Sequence, residues 1–154
     1  MLKGQEGNLF MNTHSSKELK RYNYLAGEIE AAYHEMNLKL EMSDSAMIIL
    51  YAICDRGDSC LLRDIYHQFG VSKQTINSAL RKLEAEGAVY LEAVDAKNKR
   101  ICLTEQGKHL ADRTARRIIE TENDIFSSWT EKEVENYLEL TERYLHDLRE
   151  RIGK

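Results

Sequence analysis

From residue 17 onward the chain places apolar side chains every three or four positions, the spacing that gathers them on one side of an α-helix. Leu19, Tyr22, Leu25, Ile29, Tyr33, Met36 and Leu40 share such a face and predict a long amphipathic helix over 17–40. Ser43 or Asp44 is placed to cap a second helix that ends at Gly57, with Met47, Ile48, Leu50, Tyr51 and Cys54 on its apolar side. A short helix over 61–69 and a longer one over 72–86 follow. Their apolar positions, Leu62, Ile65, Phe69, Val71, Ile76, Ala79, Leu80 and Leu83, predict two helices packed across the turn at Gly70-Val71. Then the period changes to two. Val89, Leu91 and Ala93 alternate with Tyr90, Glu92 and Val94, and Ile101 and Leu103 flank Cys102, so two short strands are predicted, joined around 95–99. Cys102 alternates away from its neighbours and is expected to be partly exposed. After Thr104 the helical spacing returns through Leu110, Ile118, Ile125 and Phe126. Thr130 and Glu133 form a T-x-x-E capping box opening a last helix, which carries Val134, Tyr137, Leu138, Thr141, Leu145, Leu148 and Ile152 on one side. Gly57, Gly70, Gly87 and Gly107 read as helix C-caps and turns between these elements.

Composition supports this reading. Proline is absent from all 154 residues, where average usage would give about eight, so the strongest interrupter of helices is missing. The expected fold is mainly α with a small β-hairpin wing. No apolar run approaches the ~18 residues of a membrane span, and the opening MLKGQEGNLFMNTHSS has no continuous apolar stretch of the signal-peptide kind. The expectation is no membrane association and a cytoplasmic location. Residues 1–16 are expected to be a flexible tail, and 17–154 a single domain: a winged helix over 44–107 flanked by dimerisation helices over 17–42 and 108–154.

The net charge of −4 hides an asymmetry. Residues 1–59 carry 6 Lys/Arg against 9 Asp/Glu, residues 60–108 carry 8 against 6, and residues 109–154 carry 8 against 11. Only the middle third is net positive, and a polyanion would be drawn there. Within it, the helix over 72–86 exposes Ser72, Lys73, Gln74, Thr75, Asn77, Ser78, Arg81 and Lys82, with no acidic residue before Glu84. Such side chains suit the edges of bases and the phosphates beside them: Gln and Asn can pair bidentately with adenine, Lys reaches guanine, and hydroxyls serve either. Ser72 at the helix start also favours a nearby phosphate. The turn that follows holds Lys97, Lys99 and Arg100 at or beside a hairpin tip, where basic side chains suit a narrow minor groove. Helix pair and basic hairpin together predict a winged helix-turn-helix that binds double-stranded DNA.

The segment VSKQTINSALRKLEAEG, the order of helices and the strand exit ICLTEQG resemble the MarR family of bacterial transcription regulators, whose habitual L-T-x-x-G that exit matches. The resemblance covers about residues 17–150. It implies a homodimer with interlocked terminal helices and a recognition helix in each major groove of a palindromic operator. It also implies that Ser72, Lys73, Gln74, Thr75, Asn77, Ser78 and Arg81 face DNA. The family's wing pattern D-x-R-x-x-R is met only loosely by Asp95, Lys97 and Arg100. Lys99 and Arg100 are assigned to the wing contacts and Lys97 to the DNA backbone. The resemblance would also place a small-molecule effector where Tyr22, Tyr33 and Tyr51 can line a cavity, relieving a repressor. Apart from the resemblance, the apolar stripes of the terminal helices exceed what a winged helix over 44–107 can cover, and call for a second copy or an intramolecular bundle.

Other chemistry finds little support. No phosphate loop, nucleophile elbow or dinucleotide fingerprint occurs, so no enzyme and no cofactor are expected. The five histidines lack metal-ligand spacing, although His34 and His109, with Glu35 and Asp112, could meet in three dimensions. Cys54, Cys60 and Cys102 have no C-x-x-C spacing and are expected to be reduced, the first two buried or inert. Two other readings share the pattern: a protein-binding winged-helix module, and a metal- or thiol-responsive regulator of the same fold.

Overall fold

A computed structural model describes residues 14–153. Most of the tail expected over 1–16 therefore lies outside the described residues. Among those residues seven helices and three strands follow in the order α1 (Lys17–Lys39), α2 (Asp44–Asp55), β1 (Ser59–Leu61), α3 (Leu62–Gln68), α4 (Lys73–Ala85), β2 (Val89–Ala93), β3 (Lys99–Leu103), α5 (Glu105–Arg113), α6 (Ala115–Ser128) and α7 (Glu131–Ile152). The chain divides into two compact units, one ending at Met42 and one running from Ser43.

The first unit is α1. Ser16 caps it, its hydroxyl accepting from the Leu19 amide at 3.0 Å. Leu19, Tyr22, Leu25, Ile29 and Tyr33 line one face as the spacing predicts, and all of them are exposed.

The second unit is organised around α2. Ser43 caps it through the Ala46 amide. The single apolar face expected for this helix is corrected by the structure: Ile49 and Ile53 are fully buried, while Ile48 and Tyr51 are only half-buried. Helix α2 packs on α4 and α6 and also meets β1, so most of its surface is covered and the amphipathic pattern is weak. Ile65, Ile76, Ala79, Leu80 and Leu83 join this core as predicted, whereas Leu62, Phe69 and Val71 are half-buried.

The sheet has three strands, not the two of a simple hairpin, in the order β1-β3-β2 and antiparallel throughout. The missing strand, Ser59–Leu61, pairs with β3 through Ser59↔Cys102 and Leu61↔Arg100. Three residues abutting a helix carry no readable period of two; pairing with β3 creates this strand. Directly opposed residues share a face. Cys60, Ile101, Leu103 and Val89 therefore lie on the core face, and Ser59, Cys102, Tyr90, Arg100 and Glu92 on the other. Cys102 is nevertheless buried, contrary to expectation, with its thiol 3.7 Å from Glu92 Oε2.

The continuous helix suggested after Thr104 is broken at Thr114 (φ −127°, ψ −90°), which is itself buried. Its hydroxyl donates to the Leu110 carbonyl at 2.6 Å, a local bond that competes with the helical ladder. Helix α7 starts with the predicted reciprocal box between Thr130 and Glu133. None of its residues is buried, and Tyr137, Leu138, Leu145, Leu148 and Ile152 are exposed.

Gly107 is neither a cap nor a turn. It lies in the first turn of α5, where an added Cβ would stand 1.8 Å from the Ala88 carbonyl oxygen. Thr104 caps the same turn: its hydroxyl accepts from the Gly107 amide at 2.9 Å and donates to the Gly87 carbonyl at 2.6 Å. Gly87 itself takes the left-handed conformation that ends α4 (φ 77°). The L-T-x-x-G segment thus clamps the exit of the wing onto the end of α4.

Candidate nucleic-acid interface

Helix α4 begins where Ser72 accepts from the Thr75 amide at 3.2 Å, and its hydroxyl lies 2.8 Å from that of Thr75. Ile76, Ala79, Leu80 and Leu83 anchor the inner side. At roughly 100° per residue, Gln74, Ser78 and Arg81 form the crest away from the core. Lys73, Asn77 and Arg81 follow at i, i+4 and i+8 down the flank facing the wing, and Thr75 with Lys82 occupies the other flank.

Between that flank, α3 and the wing runs a cleft of about 550 Å³. Arg63, Lys73, Arg81, Lys97 and Lys99 line it, with Glu84 as its one acidic side chain. Opposite charges pair at many other surface positions, as in Lys39–Glu35 and Arg116–Asp58. Among the described residues the cations of the cleft form no such ion pair, so their field adds up across the concavity.

The wing is held in shape by its own turn. Asp95 Oδ1 accepts from the amides of Lys97 and Asn98, each at 2.8 Å, and Oδ2 accepts from the Asn98 side chain at 2.8 Å. The Asn98 side chain, followed by the two amides, holds the Asp95 carboxyl below its ordinary range. Lys97 stands in the turn, and Lys99 opens β3. Arg100 is separated from them: it is half-buried on the outer face of the sheet, opposite Glu92, with its guanidinium 3.4 Å from Ser59 Oγ. Two residues of α3 that the residue pattern does not assign to DNA also enter the cleft. They are Arg63 and Tyr66, spaced i, i+3 on the side away from buried Ile65. That spacing beside an exposed cationic helix was the available clue.

Tyr22 and Tyr33 lie on α1. Tyr51 lies on α2 of the other unit, where its hydroxyl donates to Glu122 Oε1 at 2.6 Å and its ring meets Phe69 edge-on. Among the described residues no cluster of three or more His, Cys, Asp or Glu is arranged to hold a metal ion. The three thiols are free and buried. Burial, only partly offset by Arg56, pushes the Cys60 thiol up to about 11, and burial likewise raises Cys54. Cys60 should thus resist alkylation at pH 7.5 until the protein is denatured. The unfolded thiol ionises first, so its contribution to stability is retained below pH 9 and lost as pH rises toward 11. A denaturation series over that interval, compared with Cys60→Ala, checks this; equal slopes in both proteins would contradict it.

Residues 40–101 match the MarR family. That stretch is similar to the MarR family, and the fold is a winged helix of the same kind. The matched span runs from the end of α1 through α4 into β3, and so takes in the whole cleft. The MarR-family fold also extends beyond it. A MarR family regulator from Neisseria meningitidis superposes with a TM-score of 0.77 at 16% identity, covering 90% of this chain and 98% of that one. S. aureus MepR, solved as a complex with DNA, gives 0.65 at 19% identity over 88% and 99%. The PcaV transcriptional regulator from Streptomyces coelicolor, solved with its natural ligand, gives 0.61 at 16% over 86% and 97%. No curated protein matches the chain.

Proposed function

We propose that this protein is a homodimeric repressor that binds a palindromic operator and is released by a small-molecule effector. The cationic cleft between α4 and the wing carries the DNA reading, because five basic side chains converge there around a helix whose first turn has no acid. Helix α4 enters the major groove through Lys73, Gln74, Asn77, Ser78 and Arg81, while Ser72 and Thr75 present the helix start to a phosphate. Lys97 and Lys99 reach the flanking backbone or minor groove. Arg100 is the further wing contact, made from the outer face of the sheet, where its guanidinium also ties β3 to Ser59 of β1.

The exposed stripes of α1 and α7 support the dimer, since each leaves more large apolar side chains in water than a monomer usually shows. The division of labour is a DNA-binding part over 44–107 and dimerisation helices over 17–42 and 108–154. That the PcaV structure holds a ligand supports an effector here, with Tyr22 and Tyr33 of the one unit and Tyr51 of the other as separate aromatic candidates for contacting it. The cytoplasm, where such an operator would be met, is the proposed location; among the described residues no helix is long and apolar enough to cross a membrane.

Footprinting on duplexes selected from genomic fragments tests this reading. It should show two protected half-sites about one helical turn apart, ~34–36 Å. A single protected half-site, or none, would overturn the dimeric operator reading.

A further inference from the structure

Asn77 lines the cleft flank of α4, and its side chain does not stand free. The phenol of Tyr66, on α3, donates to Asn77 Oδ1 at 2.5 Å. The same ring lies under Lys73, whose Nζ is 5.3 Å from the ring centroid. Tyr66, Lys73 and Asn77 all line the cleft, and Asn77 and Tyr66 are both half-buried. One tyrosine therefore holds two neighbouring members of the interface.

This has a consequence for what Asn77 can recognise. An asparagine identifies adenine by accepting from N6 with its carbonyl while donating to N7 with its amino group, and both ends of the amide must face the base edge together. Whichever way the amide is turned, one of its two ends faces the phenol of Tyr66. With the carbonyl turned to α3, the amino group is the end left for a ligand. A lone donor matches the acceptors of the major groove, which are purine N7, guanine O6 and thymine O4.

We infer that Tyr66 is a positioning residue that sets base specificity, by holding Asn77 so that it reads a hydrogen-bond acceptor in the major groove and does not select adenine. The inference rests on the DNA reading proposed above. It replaces the bidentate adenine contact that the residue type alone suggests for Asn77.

The test is selection of bound duplexes from a randomised pool by the full-length wild type, Tyr66→Phe, Asn77→Ala and the double variant. Tyr66→Phe keeps the ring beneath Lys73 and removes only the hydroxyl, so thermal unfolding should show it folded. Asn77→Ala identifies the base position that depends on Asn77. At that position the wild type should show no adenine preference, and Tyr66→Phe should raise adenine over the other bases by about fivefold or more, the lower range of a bidentate contact. The gain should vanish in the double variant. An unchanged profile in Tyr66→Phe at the Asn77-dependent position overturns the inference, as does a wild-type adenine preference there. So does a profile that Asn77→Ala leaves unaltered. A wild type that enriches no duplex at all instead overturns the DNA reading, and this inference with it.

Discussion

Gly107→Ala should destabilise the winged helix by about 3 kcal/mol or more, at or beyond the upper range for forcing one carbon into packed structure. The new Cβ would meet the Ala88 carbonyl oxygen at 1.8 Å and its carbon at 2.8 Å, and both atoms are backbone. No side chain can swing aside to relieve them. Helix α5 would have to lift from the end of α4, breaking the bonds from Thr104 to the Gly87 and Ala88 carbonyls. For a chain of this length the loss corresponds to a fall in Tm of roughly 6–12 °C or more. Gly27→Ala is the matched control, because an added Cβ there meets nothing within 4 Å in the middle of α1. It should be neutral or stabilise by about 0.5–1 kcal/mol through helix propensity. Equal melting temperatures for Gly107→Ala and the wild type would show that the wing exit is not clamped as described.

Replacing Lys73, Arg81, Lys97 and Lys99 together by Ala should leave Tm nearly unchanged, since all four are exposed. Its effect on DNA binding should be large. If each side chain neutralises one phosphate, the dependence of log affinity on log salt becomes shallower by about 3 to 4. Affinity at low salt should fall steeply, for selected and unselected sequences alike, except where Arg81 also reads a base. The same replacement of Arg116, Arg117, Arg143 and Arg149, cations on α6 and α7 outside the cleft, should leave the slope near the wild-type value. If both sets change the slope equally, the protein binds through diffuse charge and not through the cleft.

Much of this arrangement can be read from residues alone, where the information is local. The caps at Ser43, Ser72 and Thr130 need only a hydroxyl and an amide three residues on, and all three form. The exposed face of α4 follows from the spacing of Ile76, Ala79, Leu80 and Leu83. What escaped is tertiary. Strand β1 exists because β3 pairs with it, and three residues hold no period of their own. Cys102 is buried on the outer face of the sheet, which alternation alone would leave to solvent. Gly107 resembles a punctuating glycine in sequence, but its role lies in how closely the Ala88 backbone approaches.

The interface follows the same division. Lys97 and Lys99 were visible as a basic turn, yet only the strand register separates them from Arg100, which the alternation of β3 sends to the other face. Arg63 and Tyr66 lie ten or more residues before the cationic end of α4, and the helix pair folds them into the same cleft. The bond between Tyr66 and Asn77 spans 11 residues and joins two helices. No inventory of exposed polar residues would reveal that half of the Asn77 amide is already engaged.

The most direct test of the cationic cleft is the affinity of the unmodified protein for one duplex between about 50 and 200 mM salt. A straight, steep fall of log affinity against log salt, amounting to several powers of ten if six or more phosphates are engaged, is the expected result. A flat line, or no retention of duplex at the lowest salt, would contradict it.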